Sequence, residues 1–150
     1  ERFLGLHFFN PVPVLPLVEV VGHKGTNAET LDACVEFVAS RLGKSPVRSA
    51  DRPGFVVNAL LIPYICNAIK LLEAGTATAE DIDIAMKTGA AHPIGPLALA
   101  DLIGLDTVAA IATTLADELT DPHHAPPALL LRLVSEGKLG RKSGRGFFEY

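Results

Sequence analysis

Cysteine is scarce: Cys34 and Cys66 are the only two in 150 residues, and no CxxC spacing occurs. That excludes a disulfide framework and a thiolate zinc site; it fits a reducing compartment, so the expected location is the cytoplasm. Basic runs are missing too, apart from Arg141-Lys142-Ser143-Gly144-Arg145. With a net charge of −4 there is no track for a phosphate backbone, and nucleic acid is excluded as a partner. His123 and His124 have no third ligand at metal spacing, so no metal is expected and they read as loop residues. No apolar h-region follows Glu1-Arg2 and no initiator Met precedes the first apolar run. The chain is therefore expected to begin inside a longer protein. The one long apolar stretch, Phe55 to Glu73, contains Asn58, Pro63, Asn67 and Lys70, all expensive in lipid, so a membrane partner is rejected.

What is present is globular: 49% of residues are hydrophobic and 20% charged. Phe3 to Phe9 reads as a buried strand closed by Asn10-Pro11. Three prolines between Pro11 and Pro16 forbid a helix and favour an extended crossing to a second strand, Leu17 to Val21. Thr26 and Glu29 have the spacing of a capping box and open an amphipathic helix that ends at Gly43. Ser45 to Ser49 reads as a third strand, and Asp51-Arg52-Pro53-Gly54 as a turn.

From Phe55 the texture becomes helical. A helix apolar on nearly every side in a soluble chain is covered by other helices, often those of a second subunit. Thr78 starts a helix that stops at Gly89. Further helices cover Leu97–Ile103, Leu105–Leu119 and Leu129–Glu136, before a glycine-rich tail, Gly137 to Gly146. That tail lacks the GxxxxGK[ST] order and has no helix behind it, so as a phosphate loop it is a weak motif, which leaves open a contact of Lys142 or Arg145 with an anionic cofactor.

Two residues are chemically out of place in their apolar runs. His7 sits inside the first strand, where an imidazole either bonds within the core or lines a cleft. Glu19 sits inside the second, where a carboxylate must find a partner, face a polar cleft, or point to water from an edge strand. The residue pattern leaves those alternatives open.

Taken in order, the motifs Gly5-Leu6-His7-Phe8-Phe9-Asn10-Pro11-Val12-Pro13, Leu17-Val18-Glu19-Val20 and Asp51-Arg52-Pro53-Gly54-Phe55-Val56-Val57-Asn58 make a specific series. With them come Glu80-Asp81-Ile82-Asp83, His92-Pro93-Ile94-Gly95-Pro96, Asp101-Leu102-Ile103-Gly104-Leu105-Asp106 and Gly140-Arg141-Lys142-Ser143-Gly144-Arg145-Gly146-Phe147-Phe148. Over essentially its whole length the chain resembles the C-terminal half of the 3-hydroxyacyl-CoA dehydrogenase family, in particular its 3-hydroxybutyryl-CoA members.

The resemblance implies a mainly α chain with a small β/α portion. Residues 1–50 would be the last part of a Rossmann-type NAD-binding domain, and residues 51–150 an all-α domain for substrate and dimerisation. It implies NAD-dependent oxidation of an L-3-hydroxyacyl-CoA to the 3-ketoacyl-CoA, in fatty-acid β-oxidation or butanoate metabolism. His7 would be the general base, Glu19 its orienting partner and Asn58 a donor near the substrate oxygen. Asn10 and Lys142 would contact NAD, and the implied partners are an acyl-CoA substrate and a second copy of the chain. An imidazole suits a base working near neutral pH, and a neighbouring carboxylate fixes its tautomer.

The sequence departs from the family in one respect: no GxGxxG turn occurs in it, so the NAD site is incomplete and the isolated chain is expected to be inactive. Two other readings are a non-catalytic dimerisation module and a dehydrogenase of a free hydroxy acid. The retained His7, Glu19 and Asn58 argue against the first.

Overall fold

Short aliphatic runs near the N-terminus form strands, and the longer 3.6-periodic runs after Phe55 form helices. The computed structural model describes the backbone of residues 1–150 and every side chain except that of Pro122. The chain divides into two units, Glu1–Val57 and Asn58–Tyr150.

The first unit contains β1 (Leu4–Phe8), β2 (Leu17–Gly22), α1 (Ala28–Ser40) and β3 (Ser45–Ala50). The sheet order is β1-β2-β3, with β1 antiparallel to β2 and β3 parallel to it. The parallel pair needs a crossover, which α1 supplies. Side chains alternate between faces along a strand. Val18 and Val20 therefore project together, and with Val38 of α1 they form a fully buried core against Leu4, Leu6 and Phe8. The same alternation sends His7 and Glu19, which are register partners, to the opposite face.

Two local expectations are corrected here. Thr26 does not cap α1. Asn27 does, its side chain accepting from the Thr30 N–H at 2.8 Å, while the Thr26 hydroxyl donates to the Phe3 carbonyl and accepts from the His23 N–H. Both residue types are good caps, and the chance spacing of Thr26 to Glu29 pointed one residue early. Nor is the proline link an extended crossing. The Val14 and Leu15 N–H groups both donate to the Pro11 carbonyl, at 2.9 and 3.0 Å, so the link closes into a turn. Proline's fixed φ near −65° suits a turn as well as an extended segment. The Lys44 ammonium then ties that turn down through the carbonyls of Val12 and Leu15, at 2.6 and 2.8 Å.

The second unit holds the rest of α2 (Val57–Glu73), then α3 (Ala79–Gly89), α4 (Pro96–Ile103), α5 (Leu105–Leu119) and α6 (Ala128–Ser135). Ile62, Ile65 and Ile69 of α2 pack with Leu97, Leu105, Val108, Leu115 and Leu130 in one buried cluster. At roughly 1.5–3 kcal/mol per fully buried aliphatic side chain, this cluster dominates the unit's stability. Thr78 caps α3 as expected, accepting from the Asp81 N–H. Helices α4 and α5 meet at 98°, and Gly104 at φ +102° makes the corner. Among the described residues no single helix is long and apolar enough to cross a membrane.

The fold is thus mainly α with a small β/α portion, as the sequence leads one to expect.

Candidate active site

The antiparallel register places His7 directly opposite Glu19, with both side chains on one face of the sheet. His7 Nδ1 lies 2.7 Å from Glu19 Oε2. The carboxylate's other oxygen, Oε1, accepts the backbone N–H groups of Val56 and Val57, each at 3.0 Å. Glu19 is fully buried, so these three bonds are what make its burial tolerable. They also explain where α2 begins. Val57 is its first residue, and the carboxylate satisfies amide groups that would otherwise be unpaired, at the positive end of the helix. The expectation of a polar partner for Glu19 is met, and the alternative of a water-facing edge residue is not.

Both Glu19 oxygens face N–H donors, so His7 Nδ1 carries the proton of that bond. The lone pair is then left on Nε2, which has no protein partner among the described residues. The imidazole is about one-third exposed. Phe9 and Phe55 hold it from the side, with ring centroids 4.6 and 5.5 Å away. Phe55 stands at φ +47°, in the left-handed region, as the Asp51–Gly54 turn delivers the chain to α2. The result is one aimed imidazole with an accessible basic nitrogen.

Of the other expected site residues, Asn58 lies in the first turn of α2, one residue beyond the Glu19-bonded Val57. Asn10 is exposed just past the end of β1. Lys142 lies in a short 3-10 turn, Arg141–Ser143, where its ammonium meets both oxygens of Asp106 at 2.5 and 2.6 Å. Asn10 belongs to the first unit, and Asn58 and Lys142 to the second.

His123 and His124 occupy a 3-10 turn, Pro122–His124. Among the described residues no cluster of three His, Cys, Asp or Glu side chains is arranged to hold a metal.

Sequence reasoning passed over several contributors. Phe9 and Phe55 appear only as apolar letters, and the Val56 and Val57 amides carry no side-chain signature at all. Asp83 and Asp101 are buried, at 7% and 1% exposure, and both take pairs of backbone N–H groups. Asp83 accepts from Leu97 and Ala98, and Asp101 from Phe147 and Phe148. An acidic residue in an apolar helix face was the available signal for both.

The fold and the site define the class first: a β/α unit bearing an imidazole–carboxylate pair suited to moving a proton, followed by a helical unit. Residues 54–150 match the model of the 3-hydroxyacyl-CoA dehydrogenase C-terminal domain, and residues 1–52 that of the 3-hydroxyacyl-CoA dehydrogenase NAD binding domain. The chain belongs to the 3-hydroxyacyl-CoA dehydrogenase family.

It is 56% identical over 150 residues to a 3-hydroxybutyryl-CoA dehydrogenase of Mycobacterium tuberculosis, covering all of this chain and 52% of that protein. It is 49% identical over 151 residues to the human mitochondrial hydroxyacyl-coenzyme A dehydrogenase, covering all of this chain and 48% of that one. Among solved structures, the (S)-3-hydroxybutyryl-CoA dehydrogenase PaaH1 of Ralstonia eutropha superposes with a TM-score of 0.94 at 50% identity. That match covers 99% of this chain and 52% of the other. The chain spans about half the length of the curated relatives it matches.

Proposed function

We propose that this chain carries the acid–base centre of an NAD-dependent L-3-hydroxyacyl-CoA dehydrogenase, interconverting 3-hydroxyacyl-CoA and 3-ketoacyl-CoA in fatty-acid β-oxidation or butanoate metabolism. The observation that carries it is the 2.7 Å bond from His7 Nδ1 to a fully buried Glu19, which leaves Nε2 free. In the oxidising direction Nε2 takes the proton of the substrate hydroxyl, and in the reducing direction it returns it. Glu19 stays in place throughout, holding Nδ1–H and offsetting the positive charge that appears on the ring. Asn58 is assigned to the substrate oxygen, where an amide N–H stabilises developing negative charge.

NAD, when bound, supplies the hydride acceptor. Asn10 and Lys142 would contribute to holding it; no GxGxxG turn for the pyrophosphate occurs in the 150 residues.

The test is His7→Ala in the native gene product, followed by NADH-linked reduction of acetoacetyl-CoA. kcat is expected to fall by roughly 10²–10⁴, the usual contribution of a general base. An unchanged rate removes His7 from the role. Residues 1–150 by themselves are expected to turn over poorly, and robust NADH-linked turnover by them would overturn the reading that their NAD site is incomplete.

The same reading places the protein in the cytoplasm and pairs two copies through the helical unit. Supporting the pairing, Leu60 and Leu71 of α2 are 72% and 48% exposed. Eleven residues are about three helical turns, so these two share a face. Leu71 also lines an apolar groove of 360 Å³ with Ala68, Ala77, Ile82 and Met86. Light scattering on the wild type and on Leu71→Asp checks the pairing: a dimer is expected to become a monomer. A wild-type monomer at micromolar concentration would contradict it.

A further inference from the structure

The tail that carries Lys142 is fixed from several directions. Asp101 of α4 accepts the N–H groups of Phe147 and Phe148 at 3.0 and 2.9 Å and the Tyr150 hydroxyl at 3.1 Å. A Cβ at Gly140 would collide with the Asp101 backbone and one at Gly146 with its carboxylate, so the tail passes α4 closely only because glycine stands at both places. The Leu105 N–H donates to the Leu139 carbonyl at 3.2 Å, tying the tail to the start of α5. Ser143 closes the turn from within, its hydroxyl accepting the Leu139 N–H at 2.7 Å.

Lys142 is thereby set opposite the first turn of α5, where Gly104 has no side chain. A Cβ there would lie 3.1 Å from Lys142 Nζ and 3.2 Å from its Cε, so the lysine occupies the room the glycine leaves. Its ammonium then meets both oxygens of Asp106, and Asp106 is braced in turn by the Thr107 N–H at 2.9 Å. An ammonium has three N–H donors; two are taken by the carboxylate and one remains.

We infer that Asp106 is the positioning residue for Lys142, holding the ammonium at a fixed point with one N–H left to donate to an oxygen of the bound cofactor. This rests on the reading above that Lys142 contacts NAD. A lysine on an exposed turn samples many rotamers, and ordering it at the moment of binding would weaken the contact it makes. Here that ordering is done before the ligand arrives. Stability is a poor explanation for the arrangement, because both side chains are more than 40% exposed and a surface ion pair contributes little. Lys142 also draws down the Asp106 carboxyl below its ordinary range, chiefly through the hydrogen bond itself.

The test is a double-mutant cycle in the native gene product, with NADH affinity read by fluorescence titration and KM and kcat read separately. Lys142→Met and Asp106→Asn are each expected to weaken NADH by about tenfold, the scale of one hydrogen bond to a charged group. The double variant should be no weaker than Lys142→Met alone. KM for NADH should rise while kcat at saturating NADH stays within about twofold.

If Lys142→Met weakens NADH but Asp106→Asn does not, or if the two losses add in full, the inference about Asp106 is wrong and the reading of Lys142 stands. If Lys142→Met has no effect, that reading fails and the inference goes with it. Should Asp106→Asn fail to fold, Asp106→Glu keeps the charge and displaces it by one methylene. Its smaller loss is expected to vanish in the Lys142→Met background, and persistence there would overturn the proposal.

Discussion

Glu19 accepts three hydrogen bonds and sits on no exposed surface, so its two simplest replacements fail differently. In Glu19→Gln the amide oxygen can serve the Val56 and Val57 amides or the His7 Nδ1–H, and its NH₂ confronts the other donors. That variant is expected to lose about 1–3 kcal/mol of stability together with much of kcat. Glu19→Ala leaves every donor unpaired and should be worse in urea unfolding. A Glu19→Gln protein as stable and active as wild type would remove Glu19 from both duties. Asp101 offers a different handle. Burial, its largest influence, pushes its carboxyl above the ordinary 3.8 despite the bonds from Phe147, Phe148 and Tyr150. Between 3.8 and that raised value the folded state holds more protons than the unfolded one, so Asp101's contribution to stability falls as pH rises through the window. Asp101→Asn should remove that part of the slope in urea midpoints measured across the acid range, and parallel slopes in the two proteins would contradict this. His7 and Glu19 were legible in the sequence because a polar letter in an apolar run demands an explanation. Their backbone and aromatic neighbours were not, since no residue type announces a partner 37 positions away.

At the scale of elements, five of the six α-helix starts divide into two kinds. Asn27 and Thr78 cap α1 and α3 from the adjoining residue. Glu19, Asp83 and Glu73 serve the starts of α2, α4 and α6 from far along the chain, Glu73 taking the Leu129 N–H at 2.9 Å. Local caps are visible as letters before a periodic run, although Thr26 and Asn27 compete for the reading. Remote caps depend on tertiary packing, and a sequence shows only an acidic residue with no stated use. Because Asp83 serves two amides from a buried position, Asp83→Ala should cost about 1–3 kcal/mol, against about 1 kcal/mol for Thr78→Ala. A Cβ on Gly95 would run into the Asp83 carboxylate, so Gly95→Ala should also cost about 1–3 kcal/mol through overpacking. Urea unfolding ranks all three, and Asp83→Ala no worse than Thr78→Ala would deny the cap its importance.

For the molecule as a whole, each unit owns its core: Val18, Val20 and Val38 in one, and the Ile62–Leu130 cluster in the other. Residues 58–150 are therefore expected to fold alone, with a helical circular dichroism spectrum and a cooperative urea transition. A broad, non-cooperative loss of signal would show that their core is insufficient. Family membership was legible at this scale because many short motifs fall in order, whereas strand register, which brings His7 and Glu19 together, became definite only with the fold. The sheet order has one more consequence. β2 is paired on both sides, while β1 and β3 each present an outer edge without a strand partner among the described residues. Pro46 and Arg48 guard the β3 edge by removing a donor and adding a charge; β1, reading Leu4-Gly5-Leu6-His7-Phe8, carries no such gatekeeper, and Phe3 beside it is 77% exposed. Where β1 stays uncovered, strand-to-strand association is expected to start at that edge, and a lysine in place of Phe3 is expected to reduce it.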